Sequence, residues 1–467
     1  MIWRQVKLGE LVDNFSVRAK DVGGSDGLDF FGVSNEDGII KTKYAAEDKA
    51  EDYKIIEKGC FAYNPYRVNV GSIGLVSDET RGLISPAYVV FKPKPKSIIP
   101  ELLFKFLKSD EGLRQIIFYA RGTVRQALRF EDLCNIEISI PEYKDQSSLY
   151  LKLINSQEKS NLLGAELQNQ LTLIKKLRQQ LLQDAVQGKL VPQKKSRKFS
   201  GEPASELLKK IKAEKAKLIA EKKLKKEKEL PPIKPEEIPF EIPENWVWCR
   251  LGELIDIERP LTYGIVKMGS EPKTDGIYAL RCSDIRFRRI DLSNVRKVTK
   301  ELSLQYGRTV LKGNEILLNV RGTLGGCALT SATHMGFNIA REISMIVLQD
   351  KGLNNYILNV LTSPYFTMEI NKNLRGIAYK GLNLNLLNNF LIPLPPLAEQ
   401  TRIVQKLDEL MKCCDDLETS IKESQATNEK LLQQVLREAL RGDSDKNELS
   451  EIGIDSEPKS LKKRKNK

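Results

Sequence analysis

A long helical segment that occurs twice is the feature that most constrains the fold of this chain. Adding 254 to each residue number carries residues 176–185 (K-L-R-Q-Q-L-L-Q-D-A) onto residues 430–439 (K-L-L-Q-Q-V-L-R-E-A) without a gap. Both copies end at a glycine, Gly188 and Gly442, which is a common signal for a helix C-terminus. Both also follow a proline and an acid–glutamine pair: Pro141 with Asp145-Gln146, and Pro395 with Glu399-Gln400. A repeat of this length predicts a duplicated architecture.

Residues 146–187 predict a helix of roughly 42 residues, about 60 Å long at about 1.5 Å per residue. Apolar residues recur every seven positions and form a stripe, here named the helix seam: Leu153, Leu167, Ile174 and Leu181 in the first copy, and Leu407, Cys414, Ile421 and Val435 in the second. Asn428 takes the position that matches Ile174, and a buried Asn disfavours the wrong register. Either each helix packs on its own globular domain, or the two stripes pack on each other. We favour an antiparallel pair, because helices this long rarely find enough surface on one small domain.

Length and composition indicate a protein of several domains. A chain of 467 residues is too long for one hydrophobic core and predicts two to three domains. No stretch approaches twenty apolar residues and the N-terminus lacks an apolar signal core, so we expect a cytoplasmic protein without a membrane span. The seven cysteines form no Cys-x-x-Cys motif and His334 is the one histidine, so we expect no metal and no cofactor.

The positive charge of the chain is concentrated in one segment. The formal net charge is +13, and residues 194–228 hold fourteen Lys or Arg against five Glu. This segment either binds a polyanion or is a solvated helix with a spare basic face. The flanking domains are closer to neutral, so nucleic-acid binding there would depend on local patches and groove contacts.

The remaining residues predict two mixed α and β regions. In the first we expect strands near 28–33, 60–63, 75–76 and 88–91 and a helix over 101–113. The bridge over 191–245 predicts an exposed Lys-rich helix followed by an extended proline-rich strap. The segment 443–467 has no apolar periodicity and predicts a disordered basic tail.

Two pairs of arginine-bearing loops follow the repeat. Arg67 and Arg321 each end a strand-like run and precede a glycine, and Arg121-Gly122 and Arg375-Gly376 lie near the ends of the two regions. Members of each pair are 254 residues apart. Glycine permits the backbone to approach a ligand closely.

The chain resembles the specificity subunits of type I restriction–modification systems over residues 1–442. The resemblance rests on paired W…L-G-E-L openings (residues 3–11 and 246–254), the Ile140-Pro141 and Leu394-Pro395 junctions, P-P-L-A-E-Q (395–400) and G-K-L-V (188–191). The bridge motifs E-P-A-S-E-L-L (202–208) and E-I-P-F-E-I-P (237–243) are also similar to those of the family. The first junction lacks the second proline and the Ala-Glu.

This resemblance implies an α+β fold with a pseudo-twofold internal repeat, in which two target-recognition domains are joined by two long antiparallel coiled-coil helices. The implied parts are domain 1 (1–145), a central spacer helix (146–190), the bridge (191–245), domain 2 (246–398), a distal spacer helix (399–442) and the tail (443–467). Each domain would read half of a bipartite, asymmetric site in double-stranded DNA. The helices would set the spacing and dock two methyltransferase subunits, and restriction subunits would join through the complex.

Side chains that match base edges are the candidate DNA contacts. Arginine pairs with guanine, and Asn or Gln with adenine. The candidates are Arg67, Asn69, Arg121, Arg125 and Gln126 in domain 1, and Arg281, Arg321, Arg375 and Lys380 in domain 2. The competing role for each is a structural ion pair, a solvated charge or a phosphate contact.

No motif in the sequence predicts catalysis. Asn64-Pro65-Tyr66 lacks the second proline of adenine methyltransferases, and no glycine-rich methyl-donor turn precedes it, so we expect a simple turn. Gly322-Thr323-Leu324-Gly325-Gly326 lacks the Lys-Ser or Lys-Thr of a phosphate loop. We therefore expect a subunit that directs separate enzymes. The alternatives are a coiled-coil adaptor whose twin domains bind proteins and, third, a free-standing methyltransferase.

Overall fold

The computed structural model describes residues 3–42, 47–121, 126–192, 202–222, 224, 229–322, 324–374 and 381–441. Arg125, Arg375, Lys380 and the tail 443–467 lie outside the described residues. The chain divides into two compact units, which are Met1–Gln168 with Lys422–Lys467 (unit 1) and Asn169–Ile421 (unit 2). Each long helix contributes residues to both units.

Unit 1 consists of small sheets covered by short helices. Its strands are β1 Trp3–Lys7, β2 Val12–Asn14, β3 Asp29–Ser34, β4 Gly38–Lys41, β5 Lys54–Ile56, β6 Phe61–Tyr63, β7 Ile73–Leu75, β8 Gly82–Ile84, β9 Val89–Pro93 and β10 Glu137–Pro141. Its helices are α1 Leu8–Leu11, α2 Pro100–Leu107, α3 Asp110–Tyr119, α4 Phe130–Leu133 and the start of α5 Tyr143–Val186, with 3-10 turns at Ala19–Val22, Glu47–Asp52 and Val68–Val70. In the core the ring of Phe61 stacks on that of Phe91, with centroids 4.8 Å apart.

Unit 2 also combines small sheets with helices. Its strands are β11 Val247–Arg250, β12 Thr262–Tyr263, β13 Ile277–Leu280, β14 Ile285–Arg286, β15 Arg289–Ile290, β16 Arg296–Val298, β17 Ile316–Asn319, β18 Cys327–Leu329, β19 Asn338–Ile339, β20 Ile343–Ile346 and β21 Leu391–Leu394. Its helices are α6 Ala204–Lys222, α7 Leu251–Leu254, α8 Lys300–Gln305, α9 Asn354–Leu361, α10 Pro364–Leu374, α11 Leu384–Asn389 and the first part of α12 Leu397–Arg441. The 3-10 turns are Pro235–Glu237, Gly307–Thr309, Ala332–His334 and Lys351–Leu353.

The two units use the same pattern of strand pairing. The first strand of each pairs with its last, β1 with β10 and β11 with β21. One four-stranded sheet has the order β2-β9-β6-β7 in unit 1 and β12-β20-β17-β18 in unit 2. Each unit also contains a parallel strand pair, which is β3 with β8 in unit 1 and β13 with β19 in unit 2. Mixed α and β structure, with long helices at 143–186 and 397–441, is therefore present as the sequence predicted.

The glutamine of each acid–glutamine pair ties the start of a long helix to the preceding proline. The Nε2 of Gln146 donates to the carbonyl of Pro141 at 3.2 Å, and the Nε2 of Gln400 donates to that of Pro395 at 2.8 Å. A glutamine at the same position thus joins each helix to the proline at the strand-to-helix junction. At the other end of α5, Gly188 has φ +72°, and an added Cβ would lie 2.6 Å from the Cγ of Pro243. A glycine is required there to end the helix.

The helix seam is buried unevenly. Leu153, Leu167, Ile174, Leu407 and Cys414 are buried, whereas Leu181, Ile421, Asn428 and Val435 are half-buried. Several apolar residues that flank the seam in sequence are exposed: Leu163, Leu177, Leu417 and Leu431. A two-helix contact covers a narrower stripe than a helix facing a whole core, so these flanking positions remain in solvent.

Contacts between the long helices occur in each unit. In unit 1 the Nδ2 of Asn428 donates to the carbonyl of Ser160 at 2.9 Å, and Val435 packs against the cluster that contains Leu153. In unit 2 a guanidinium nitrogen of Arg178 lies 2.7 Å from Asp415 Oδ1 and 3.1 Å from Glu418 Oε2.

Two local expectations are wrong. The helix expected over 101–113 is two helices, α2 and α3, because the hydroxyl of Ser109 accepts from the backbone N–H of Gly112 at 3.2 Å and starts a new helix. The Lys-rich helix α6 is not wholly exposed. Its buried residues recur at helical spacing: Ala204, Leu207, Leu208, Ile211 and Lys215. The Nζ of Lys215 donates to the carbonyl of Gly252 at 3.1 Å, which gives the buried ammonium group a hydrogen-bond acceptor.

The proline-rich strap is held by one buried arginine. Arg250 is 4% exposed and donates to the carbonyls of Pro231, Pro232 and Asn389 at 2.8, 3.2 and 2.9 Å. It also donates to Glu237 Oε2 at 2.8 Å. Proline has no N–H, so these segments depend on carbonyl contacts to be fixed.

We expect Arg250→Met to destabilise unit 2 by about 3 kcal/mol, because three carbonyls and a carboxylate lose their donor. Thermal unfolding measures the loss, and limited proteolysis should show faster cleavage between residues 229 and 237. Lys234→Met, on an exposed side chain of the same segment, is the control. An unchanged cleavage rate in the Arg250 variant would contradict the role of this side chain.

Candidate nucleic-acid interface

In unit 1 the loop that carries Arg67 lies close to the paired residues Arg121 and Ala127. After β6 the Oδ1 of Asn64 accepts from the N–H of Tyr66 at 3.0 Å, and the chain turns into Val68–Val70. Arg121 pairs with Ala127 through two backbone hydrogen bonds. The N–H of Leu128 then donates to the carbonyl of Pro65 at 3.0 Å, which links this segment to the Arg67 loop. Asn64-Pro65-Tyr66 is thus a turn, as expected.

The candidate side chains of unit 1 differ in their partners. Arg67 is exposed, and among the described residues its guanidinium forms no ion pair. Arg121 has a side chain that is 77% exposed and places its Nε 2.9 Å from Asp132 Oδ1. Gln126 is exposed, and Asn69 lies within Val68–Val70. The Arg121 side chain is thus largely exposed, but it is held by a buried carboxylate, which favours the structural role for this residue.

Lys108 positions the Arg67 loop and was missed by sequence reasoning. Its Nζ donates to the carbonyl of Gly71 at 2.6 Å and to that of Asn35 at 3.0 Å. Burial lowers the pKa of Lys108 from its ordinary value. Gly71 has φ +83° and ends the short helix that follows Arg67. A lysine in a helical run carries no sequence signal for this role.

In unit 2 Arg321 lies in a loop bordered by two other segments. Arg321 follows β17 and forms an isolated bridge with Gly381, beside a hydrogen bond from the N–H of Leu382 to the carbonyl of Val320 at 2.8 Å. Its guanidinium carbon lies 5.6 Å from the ring centroid of Tyr263, whose hydroxyl donates to the carbonyl of Leu382 at 3.0 Å. Burial raises the pKa of Tyr263, and the charge of Arg321 opposes that rise.

Arg281 has the competing structural role. Its guanidinium donates to Asp284 Oδ1 at 3.2 Å and to the carbonyl of Asn294 at 2.6 Å, and Asp284 is buried. The neighbouring Cys282 nevertheless lies against the Arg321 loop, because a Cβ on Gly322 would meet its Sγ at 3.2 Å. The segment that contains Arg281 and Cys282 therefore lies beside the Arg321 loop, but the Arg281 side chain itself binds Asp284 and the carbonyl of Asn294.

An arginine-rich hairpin, Ile285–Arg286 with Arg289–Ile290, was also missed. Its signal in the sequence is the short run R-F-R-R at 286–289, and such charge runs are common on protein surfaces. Within the described part of the chain, no group of His, Cys, Asp and Glu could hold a metal ion. No helix among the described residues is long and apolar enough to cross a membrane.

Comparison with known proteins places these features in a family context. The type I restriction modification DNA specificity domain matches residues 3–173 and 243–424. The chain is similar to the type I restriction enzyme EcoBI specificity subunit of Escherichia coli, with 34% identity over 203 residues that cover 43% of this chain and 42% of that protein. It is also similar to the EcoAI specificity subunit of Escherichia coli, with 32% identity over 256 residues that cover 54% of this chain and 42% of that protein. The chain spans about two fifths of the length of these curated relatives.

A solved structure shares the fold. The HsdS subunit from Thermoanaerobacter tengcongensis superposes with a TM-score of 0.56 at 20% sequence identity, covering 94% of this chain and 97% of that one.

Proposed function

The chain belongs to the family of type I restriction modification DNA specificity domains, and we propose that it is the sequence-specific DNA-recognition subunit of a type I restriction–modification complex. The match covers both repeats and confirms the resemblance that the sequence motifs carried. It favours DNA recognition over the alternative of a coiled-coil adaptor. Each of the two repeated domains reads one half of a bipartite, asymmetric site in double-stranded DNA.

The observation that carries this proposal is the matched position of Arg67 and Arg321. Arg67 follows β6 and Arg321 follows β17, and each of these strands is third in the order of its four-stranded sheet. A second segment of the chain borders each of the two loops. Arginine can donate two hydrogen bonds to the O6 and N7 of guanine. The rest of the two loops differs in sequence, so each domain reads different bases.

We expect Arg67→Ala and Arg321→Ala each to weaken binding of the cognate duplex by roughly 1–3 kcal/mol if the contact is a bidentate base pair. Competition binding against duplexes that vary at each half-site measures the loss, and each variant should relax specificity in one half only. Arg308→Ala, another exposed arginine of unit 2, is the control. Unchanged affinity in both variants would reject these two residues as base readers.

The long helices are proposed to form an antiparallel spacer. In unit 1 Asn428 meets Ser160 and the later Val435 packs with the earlier Leu153, which supports opposite chain directions. In unit 2 the Arg178 pairs with Asp415 and Glu418 join the same two helices. The helix α5 also leaves leucines exposed in both units: Leu151, Leu162, Leu173 and Leu177. This exposed apolar surface is suited to protein partners, and two methyltransferase subunits dock on the spacer. Restriction subunits join through the complex.

Catalysis belongs to the partner subunits. The test is to purify the chain with and without its methyltransferase partner and to measure duplex binding and methyl transfer. We expect methylation of one split sequence by the complex and no methyl transfer by the chain alone. Methylation mapping of a genome that expresses the complete system identifies the sequence. A complex that binds no duplex, or a chain that methylates DNA by itself, would overturn the proposal.

A further inference from the structure

The hairpin of unit 2 places two arginines directly opposite each other. Strands β14 and β15 pair in antiparallel register, with Ile285 opposite Ile290 and Arg286 opposite Arg289. Both arginines are exposed. Like charges that face each other across two strands destabilise the pairing. A hairpin as short as this one therefore carries an unfavourable charge pair in the free protein.

The protein offers these two charges little compensation. No ion pair or side-chain hydrogen bond joins Arg286 or Arg289 to an acid within the part of the chain that the structure describes. The acid that follows the hairpin, Asp291, interacts with the two arginines only at long range, and its Oδ1 accepts from the backbone N–H and the hydroxyl of Ser293 at 3.1 and 2.7 Å. The Ser293 hydroxyl is the main cause of the lowered pKa of Asp291, and the two arginines add to it.

The hairpin is nevertheless held firmly in place at its tip. Arg288 has φ +57°, a left-handed conformation that is costly for a residue with a Cβ. Its N–H donates to the carbonyl of Cys327 at 2.8 Å, and its guanidinium donates to Asn359 and, at 3.3 Å, to Asp408 of α12. Burial lowers the pKa of Arg288. One arginine thus anchors the hairpin to the sheet and to the long helix, which leaves the other two directed at solvent.

The anchored hairpin borders the loop that carries Arg321. The Nδ2 of Asn319, at the end of β17, donates to the carbonyls of Cys282 and Ile285 at 2.9 and 3.3 Å. Phe287 forms a bridge with Cys327, the first residue of β18. Since the Arg321 loop connects β17 to β18, the hairpin flanks that loop.

We propose that Arg286 and Arg289 form a phosphate clamp, which binds the backbone of duplex DNA beside the base-reading loop of unit 2. This inference rests on the proposed function and assigns a role to a site outside the predicted base readers. Guanidinium groups match phosphate oxygens in geometry as well as charge, and a bound phosphate removes the repulsion between the two arginines. The clamp carries no sequence information. It fixes the register at which the neighbouring loop meets the bases.

The test compares charge removal at the clamp with charge removal elsewhere in unit 2. The full chain is assembled with its methyltransferase partner, and binding of a random-sequence duplex is measured over a series of salt concentrations. The clamp variant is Arg286→Gln with Arg289→Gln. The matched control is Arg308→Gln with Lys351→Gln, since both residues are exposed and unit 2 loses the same charge. A charge-preserving variant, Arg286→Lys with Arg289→Lys, separates charge from hairpin folding.

The clamp predicts a specific change in salt dependence. The slope of log affinity against log salt should fall in magnitude by about 1.8 in the glutamine variant, at about 0.9 per lost phosphate contact. Affinity should fall roughly tenfold or more near 0.1 M salt, for every sequence alike. The lysine variant should keep the wild-type slope, and the Arg308/Lys351 control should change it by much less.

Four outcomes would overturn the clamp. A wild-type slope in the glutamine variant, or an equal change in the control, shows that the hairpin does not contact phosphate. Failure of the glutamine variant to assemble with the methyltransferase, when the variant chain alone binds duplex with the slope of the wild-type chain alone, assigns the hairpin to a protein contact. Absence of duplex binding by the wild-type complex refutes the proposed function itself and is distinguishable, because it appears before any substitution is made.

Discussion

Deletion of one heptad from each long helix should abolish methylation of the parental site. Residues 161–167 of α5 and 421–427 of α12 form a matched pair of segments, because Ser160 and Asn428 remain in contact on one side of both deletions. Each helix shortens by about 10 Å at about 1.5 Å per residue. On DNA this length corresponds to about three base pairs, given roughly 34–36 Å per turn of about ten.

The expected effect is large because a change in spacing also rotates one half-site relative to the other around the DNA axis. Three base pairs turn the duplex by about 100°, whereas a seven-residue step returns a supercoiled helix to nearly the same face. The two base-reading domains then fail to reach both half-sites of the original sequence. We expect a loss of at least about a hundredfold in methylation, since one half-site alone supplies too little binding energy.

Methylation of a duplex library with varied spacers measures the result. We expect either a site with a shorter spacer or no methylated site. A matched control deletes the heptad from α12 alone, which misaligns the seam and should also reduce assembly with the methyltransferase. Methylation of the parental spacing at the normal rate by the paired deletion would show that the helices do not set the distance.

A charge at Leu182 should destabilise unit 2 far more than a charge at Leu181. Leu182 is 1% exposed and belongs to the main core cluster of unit 2, whereas Leu181 is only partly buried beside it. A buried carboxylate without a partner costs several kcal/mol, so we expect a loss of about 4 kcal/mol for Leu182→Asp and about 1–2 kcal/mol for Leu181→Asp. Val435→Asp should destabilise unit 1 as Leu181→Asp destabilises unit 2, because Val435 is also partly buried against a core cluster.

Urea unfolding followed by tryptophan fluorescence can resolve these effects. Trp246 and Trp248 lie in unit 2 and Trp3 lies in unit 1, so a variant with Trp3→Phe reports on unit 2 alone. Leu182→Met, which conserves volume, should cost less than about 1.5 kcal/mol. Equal destabilisation by the two Asp variants would contradict the packing of this turn of the helix. Loss of methyltransferase binding without loss of stability would instead assign Leu181 to the partner surface.

Much of the framework could be predicted from sequence. The heptad spacing, the prolines before the long helices and Gly188 after the first are local signals, and the helices Tyr143–Val186 and Leu397–Arg441 agree with them within a few residues. The break at Ser109 and the buried face of α6 were missed. The break at Ser109 depends on a short capping pattern, which competes with the helical propensity of the residues around it. The buried face of α6 depends on the spacing of its apolar residues, which competes with the signal of its high lysine content.

The candidate site was less predictable. Arg67 and Arg321 could be selected because the repeat places them at matching positions, but Arg281 has the same residue type and proves to be paired with Asp284. The hairpin arginines gave only a short basic run in the sequence. Their opposition depends on the pairing of β14 with β15, and their place beside Arg321 depends on contacts with β17 and β18.

By itself, the sequence determined the duplication, the two long helices and the family, since repeats, periodicity and motifs are properties of the order of residues along the chain. Only the tertiary structure decided which charges are free to bind a ligand and which leucine of an adjacent pair is in the core. The physical reason is that a side chain's partner and its exposure depend on segments far away in sequence. Arg250 and Arg288 show this, because each is held by carbonyls or carboxylates that only folding brings within reach.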